Sequence, residues 1–212
     1  PMAQGLLSFS EGLTWAVGWS AVAEIGAYLL NPVCVLIFLA GCALETIYCL
    51  MHRISPFRTI ISGGVKTSGA VAAVFAVDPN PSMVYVIVLF LWLFFWEIGG
   101  QNVPADWADI EEDSRLGAQT VPVRVGPHNA AGIAVCTIVL ALLLNPVLIG
   151  LSTIGFQPLL AAVSFFAGSG LMLPAVLQLY GSRGRRQAMI LFNRASYYPL
   201  VMLITIVVYI LL

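Results

Sequence analysis

In residues 82–126 an apolar stretch, SMVYVIVLFLWLFFWEIGG (82–100), is followed directly by a polar one, QNVPADWADIEEDSRLGAQTVPVRVG (101–126). The first part is an unbroken apolar run of about 20 residues, the length that an α-helix needs to cross the hydrocarbon core of a bilayer. The second part is polar and holds five of the ten acidic residues of the chain. A predicted membrane-spanning helix therefore leads straight into a concentrated acidic segment.

The composition of the whole chain points to the membrane as well. Of its 212 residues, 60% are hydrophobic and only 9% are charged, and the mean hydropathy is +0.96. Soluble domains carry about 25% charged residues, so this chain could not cover its apolar core in water. The net charge of −1 offers no basic field for nucleic acid, and no such partner is expected. We expect an integral membrane protein whose surroundings are lipid.

Seven apolar stretches are long enough to span a bilayer, which predicts an all-α, polytopic transmembrane helical bundle. These predicted spans cover residues 13–30, 32–51, 59–77, 82–100, 129–150, 158–180 and 190–212.

Basic residues occur in every second connection between these spans. They are Arg53, Arg58, Arg115, Arg124, Arg183, Arg185 and Arg186. Because cytoplasmic connections collect Lys and Arg, the N-terminal side is predicted to be cytoplasmic and the C-terminus to lie outside. In a prokaryote the protein would be in the inner membrane.

The cytoplasmic connection 101–127 holds the pattern N-x3-D-x2-D-x3-D, formed by Asn102, Asp106, Asp109 and Asp113. On one continuous helix these offsets place all four side chains on one face, where the carboxylates repel one another. Mg²⁺ would relieve that repulsion, since it binds one or two carboxylates together with water and substrate phosphates. The residues alone leave a solvated acidic loop as an equal alternative.

The residues that continue this segment narrow the choice. From Asp109 the chain reads DIEEDSRLGAQTVPVRVG, which resembles the second aspartate-rich motif of the UbiA superfamily of intramembrane prenyltransferases. The matching residues are Asp109, Asp113, Arg115, Gly117, Thr120, Pro122 and Gly126. Looser similarities lie at residues 1–5, 48–58 and 192–196, so the resemblance covers nearly the whole chain.

The resemblance implies a bundle of nine helices around a cavity open to lipid, with aspartate-rich motifs after the second and sixth helices. Here the motif follows the fourth predicted span, and no first motif of the NxxxD or NDxxD type precedes it. We therefore expect residues 1–212 to be a single, N-terminally truncated UbiA-like domain that lacks the first two helices. Such a chain is expected to be inactive alone.

The resemblance also implies a reaction and a metal site. A polyprenyl diphosphate would bind with its tail in the cavity and its diphosphate on Mg²⁺, and a lipophilic acceptor would attack the resulting allylic cation. Asp109 and Asp113 would be the catalytic, Mg²⁺-holding residues, with Asp106 and Asn102 as further metal ligands. The acceptor stays open between an aromatic quinone precursor and another lipophilic molecule.

One departure from the family pattern concerns two positions just before the motif. The family often has Tyr and Lys eight and four residues before the first motif aspartate, where this chain has Gln101 and Ala105. Those two family roles are therefore not transferred to this chain.

Charged residues inside predicted spans are candidates for function. Lys66 lies eight residues after Arg58, and Glu45 lies eight before Arg53, so both are roughly 12 Å from the cytoplasmic boundary. We expect Lys66, Arg53 and Arg58 to bind the diphosphate, with Glu45 pairing with or orienting Lys66. A purely charge-neutralising Lys66–Glu45 pair is an equal alternative, as is a topological role for the two arginines.

The leading prediction is a Mg²⁺-dependent prenyltransferase that acts on a polyprenyl diphosphate and a lipophilic acceptor. The alternative is a non-catalytic or degenerate membrane protein that binds or transports an isoprenoid or another lipid.

Overall fold

A computed structural model of the chain describes residues 5–153, 155 and 157–211. The similarity at residues 1–5 and the end of the last predicted span at residue 212 therefore fall wholly or partly outside the described residues. Throughout the described ranges the chain forms helices and turns and contains no strand. Seven of the helical stretches are long and apolar enough to span a membrane, which confirms the predicted all-α transmembrane bundle.

The helices follow one another through short connections. In chain order they are α1 (Phe9–Leu30), α2 (Pro32–Leu50), α3 (Arg58–Val77), α4 (Met83–Trp96), α5 (Val103–Ala108), α6 (Ile110–Leu116), α7 (Val121–Leu151), α8 (Pro158–Ser182) and α9 (Arg185–Leu211). A 3₁₀ turn (Met51–Arg53) follows α2, and a π-helical turn (Glu97–Asn102) joins α4 to α5.

Several helices extend beyond the predicted spans. α9 begins at Arg185 rather than at residue 190. α7 begins at Val121, but its backbone is non-helical at Gly126 (φ 80°, ψ 162°), so its long membrane-spanning part starts just after that kink, close to the predicted residue 129. The predicted spans stop where the apolar run stops, but a helix continues into polar sequence as long as its backbone hydrogen bonds continue. The connection 101–127 is accordingly mostly helical and not an irregular loop.

The π-helical turn, Glu97–Asn102, has a clear local cause. Pro104 has no N–H to donate to the carbonyl of Gly100, and in a regular α-helix its ring would clash with that carbonyl. The Val103 N–H instead donates to the Ile98 carbonyl, five residues earlier, which is the π-helical pattern. α4, the π-helical turn and α5 thus form one long rod with an extra residue in its final part.

The core lies where this rod packs against α7 and α9 and where α8 covers those two helices. The Trp92 indole N–H donates to the Tyr198 hydroxyl (3.0 Å), and the Trp96 indole N–H donates to the Ala195 carbonyl (2.9 Å). Tyr198 and Ala195 are fully buried, so these bonds attach α4 to α9 in the centre of the bundle. In contrast, none of the residues of α1 is buried.

Two glycines let the π-helical turn approach its neighbours closely. A Cβ on Gly99 would meet the Ala134 carbonyl oxygen at 2.9 Å and would overlap the Thr137 hydroxyl. A Cβ on Gly100 would come within 2.7 Å of the Ala195 Cβ. The turn therefore rests with its backbone against α7 and α9, which is the way small residues allow membrane helices to pack.

We predict that Gly99→Ala and Gly100→Ala each destabilise the protein by about 1–3 kcal/mol, because the crowded atoms belong to backbone or short side chains that cannot move aside. The readout is the thermal unfolding temperature of the detergent-purified protein. Gly132→Ala is the matched control, since a Cβ there meets nothing within 4 Å and alanine favours the helix. An unchanged or higher unfolding temperature for Gly99→Ala would contradict the proposed close packing.

Candidate active site

A ladder of polar side chains connects α3 to the rod formed by α4, the π-helical turn and α5. Arg58 Nη2 lies 3.2 Å from Asp106 Oδ1, and the Ser62 hydroxyl donates to Asn102 Oδ1 at 3.1 Å. The third contact joins Lys66 Nζ to Glu97 Oε1 at 2.5 Å. We call these three contacts the α3 ladder.

The π-helical turn sets the register of this ladder. Arg58, Ser62 and Lys66 are spaced by four residues, so they lie on one face of α3. On the facing rod, Asp106 and Asn102 are also four apart, but Asn102 and Glu97 are five apart. In a regular α-helix five residues leave two side chains about 140° apart, whereas one turn of a π-helix realigns them. The extra residue thus brings Glu97 onto the face that meets Lys66.

Arg58 is the most enclosed charge of the ladder. It is 7% exposed, and besides Asp106 its guanidinium donates to His52 Nδ1 at 2.6 Å. The same guanidinium lies 5.2 Å from the centre of the Tyr48 ring, within the range of a cation–π contact. Arg58 therefore ties the end of α2 and the start of α3 to the acidic segment.

The prediction that Lys66 pairs with Glu45 is wrong. The structure pairs Lys66 with Glu97, and Glu45 is exposed on α2, where it lines an apolar groove between α1, α2 and α3. Depth in the membrane was the only basis for the expected pair, and depth does not specify which helix face a residue occupies. The sequence does contain a signal that Glu97 faces α3. Gly99, Gly100 and Pro104 follow Glu97 closely, and they favour the π-helical turn that aligns Glu97 with Asn102.

The four residues of the N-x3-D-x2-D-x3-D pattern do not share one continuous helix face, so that prediction is also wrong. The backbone leaves the helix at Asp109 (φ −110°, ψ 13°), which separates α5 from α6. Asn102 and Asp106 face α3, while Asp109 lines a separate cavity of about 480 Å³. The basic residues at this cavity are Arg115, Arg183 and Arg185.

Asp109 and Asp113 remain a pair one turn apart. The Asp113 N–H donates to the Asp109 carbonyl at 2.8 Å, and Asp109 is exposed while Asp113 is partly exposed. The helix ends in a left-handed residue, Gly117 (φ 71°), after which the Ala118 N–H returns to the Asp113 carbonyl. The Gly of the motif thus terminates α6 and leaves both carboxylates accessible.

These carboxylates suit one kind of metal site. Among the described residues, no group of three or more His, Cys, Asp or Glu side chains is gathered closely enough to hold an ion. Two accessible carboxylates on adjacent turns are nevertheless an adequate protein contribution to Mg²⁺, which keeps waters and takes further oxygens from phosphates. The donor set therefore fits an ion shared with a substrate and does not fit an ion held by protein alone.

Two buried donors of the ladder lack a partner in the described part of the chain. They are Arg58 Nε and Asn102 Nδ2. Buried N–H groups without an acceptor are costly, and an anion is one group that could satisfy them. Arg53, by comparison, is exposed at the end of the 3₁₀ turn and forms no ion pair with any described residue.

We predict that Asp106→Asn lowers the stability of the protein by about 3 kcal/mol, because it leaves the buried Arg58 guanidinium without its carboxylate. Thermal unfolding in detergent is the measurement. Glu111→Gln provides the control, as Glu111 is an exposed acid of the same segment. Equal unfolding temperatures for both variants would show that the Arg58–Asp106 contact contributes nothing.

Comparisons with known proteins agree with this architecture. The family model described as UbiA prenyltransferase family matches residues 1–209. Two digeranylgeranylglyceryl phosphate synthases, from Methanosarcina mazei and Methanosarcina barkeri, are each 26% identical over 205 and 204 residues, which is 95% of this chain and 68% of each relative.

A solved structure shares the fold. It is the apo structure of a UbiA homolog from Aeropyrum pernix K1, which superposes with a TM-score of 0.71 at 22% identity. The similarity covers 99% of this chain and 76% of the other. The family match extends over nearly all of the sequence, and it includes the acidic segment that ends the α4 rod. The chain belongs to the UbiA prenyltransferase family and is a multi-pass membrane prenyltransferase.

Proposed function

We propose that this prenyltransferase uses a polyprenyl diphosphate as donor and binds its diphosphate between the α3 ladder and the Asp109–Asp113 pair. The observation that carries the proposal is the ladder itself. It places two cations on one face of α3, Arg58 against the acidic segment and Lys66 two turns deeper against Glu97. Cations beside carboxylates that can hold a metal are the combination that a metal-bound diphosphate requires.

The binding roles follow from the contacts. Arg58 is buried and oriented by Asp106 and His52, so its guanidinium supplies a fixed positive charge that attracts the diphosphate. Lys66 supplies a second cation deeper along α3. Arg53, exposed at the rim, attracts the anion without a fixed geometry. Asn102 helps to hold α3 in place through its contact with Ser62.

Asp109 and Asp113 would hold Mg²⁺. The bound ion would neutralise the negative charge that develops on the leaving diphosphate as the allylic C–O bond breaks. Asp106 and Asn102, the other two predicted ligands, have their Oδ1 atoms engaged by Arg58 and Ser62. We therefore assign them to support of the site through α3; of their remaining polar atoms only Asp106 Oδ2 is an oxygen that would suit the ion, because Asn102 Nδ2 is an N–H donor.

The acceptor is proposed from the relatives. The two named synthases make a glyceryl phosphate with two geranylgeranyl groups. A glyceryl phosphate that already carries one prenyl group is therefore our first acceptor, and an aromatic quinone precursor is the second. Both are lipophilic, as a reaction within the membrane requires.

The orientation is proposed from charge. Arg53, Arg58, Arg115, Arg183, Arg185 and Arg186 all lie in connections or helix ends on the same side of the bundle as the acidic segment. This bias supports a cytoplasmic active site, an outward C-terminus and, in a prokaryote, residence in the inner membrane with anionic lipid beside the arginines.

The test uses membranes that contain the natural gene product carrying this chain, with labelled geranylgeranyl diphosphate as donor. We expect transfer that requires Mg²⁺ and falls at least about a hundredfold in Asp109→Asn and in Asp113→Asn, since each removes charge from the diphosphate site. Glu111→Gln is the control and should retain the activity. Parallel assays with geranylgeranylglyceryl phosphate and 4-hydroxybenzoate distinguish the two acceptor classes.

Transfer that continues without divalent ions, or that survives both aspartate substitutions, would refute the proposed metal site. Binding of the donor without any transfer to either class of acceptor would instead support an isoprenoid-binding protein without catalysis.

A further inference from the structure

We propose that Glu97 is a positioning residue, which holds the Lys66 ammonium at the depth where the donor's diphosphate binds. This inference rests on the proposed function, because it assigns to Lys66 a contact with the diphosphate. Glu97 acts through Lys66 and does not itself touch the substrate.

The two side chains differ sharply in burial. Glu97 is 4% exposed and Lys66 is 55% exposed, although their charged atoms are in contact. The carboxylate is thus enclosed by protein, and the ammonium approaches it from the open side. An ammonium has three N–H donors, and the described residues engage one of them, through Glu97, which leaves two donors for a ligand on that open side.

The fixed position of Glu97 comes from the π-helical turn. The turn is held by the Val103 N–H to the Ile98 carbonyl and by the close approach of Gly99 and Gly100 to α7 and α9. Glu97 therefore has little freedom to move, whereas Lys66 has a long flexible stem. The position of Glu97 therefore determines the position of the Lys66 ammonium.

A lysine at this depth needs such an anchor. Lys66 lies eight residues into α3 from Arg58, and without a nearby carboxylate its side chain would extend toward the cytoplasmic interface. The diphosphate would then have to recruit and order a mobile lysine each time it binds. Preorganisation by Glu97 removes that entropic cost from the binding step.

The experiment compares Glu97→Gln with Glu45→Gln in the natural gene product that carries this chain. Glu45 is the matched control, because it is an acid of a neighbouring membrane helix that is exposed and outside the ladder. We expect Glu97→Gln to raise the KM for the prenyl diphosphate about tenfold, the usual effect of losing one charge-assisted contact. The KM for the acceptor should stay unchanged, and Glu45→Gln should leave both constants unchanged.

A direct binding measurement accompanies the kinetics. Inorganic pyrophosphate with Mg²⁺ should raise the unfolding temperature of the parent protein, and it should do so at about tenfold lower concentration than in Glu97→Gln. This readout does not depend on turnover. It therefore tests the inference even if the acceptor has been chosen wrongly.

The charge-swapped variant Lys66→Glu with Glu97→Lys separates positioning from a merely structural ion pair. The swap keeps an ion pair but buries the cation and exposes the carboxylate. We expect it to recover the unfolding temperature better than either single change while the KM for the prenyl diphosphate stays high. Recovery of the parent KM would overturn the inference, since the pair would then need only opposite charges.

Three further outcomes are decisive. If Lys66→Met weakens pyrophosphate binding and Glu97→Gln does not, Lys66 binds the diphosphate without Glu97, and the inference fails while the proposed function stands. If neither change affects pyrophosphate binding although the parent transfers prenyl groups, the inference fails together with the role assigned to Lys66. A parent that binds pyrophosphate but transfers nothing contradicts the proposed function alone.

Discussion

The extra residue in the π-helical turn Glu97–Asn102 is the constraint on which the polar half of the structure depends. It arises because Pro104 cannot complete a regular helix, and it is tolerated because Gly99 and Gly100 allow the backbone to lie against α7 and α9. π-helical turns often coincide with functional sites. Here the turn changes which residues of the rod face α3, and Glu97 therefore pairs with Lys66.

The acidic segment consequently has two parts with different surroundings. Asn102 and Asp106 belong to the α3 ladder, where Ser62 and Arg58 hold them. Asp109 lies at the break in the helix, at the start of α6, and Asp113 lies within α6; both side chains are accessible. In the proposed function, a metal-bound diphosphate would have to reach from the α3 cations to these two carboxylates.

Much of the fold could be predicted from the sequence, because spans are set by apolar length and the bundle follows from them. The family could be predicted too, since seven motif residues from Asp109 to Gly126 retain their spacing. The partner of Lys66 could not be predicted, because a constant α-helical period places Glu97 away from the face that forms the α3 ladder. Depth in the membrane, which suggested Glu45, does not specify the helix face either. The break at Asp109 could not be predicted, because the spacing N-x3-D-x2-D-x3-D fits a continuous helix equally well.

The pairing of Lys66 with Glu97 through the π-helical turn can be measured by double-mutant cycles on the free energy of unfolding, with Lys66→Met combined either with Glu97→Gln or with Glu45→Gln. We expect a coupling energy of at least about 1 kcal/mol for Lys66 with Glu97 and none for Lys66 with Glu45. A coupling energy as large with Glu45, or none with Glu97, would contradict this pairing.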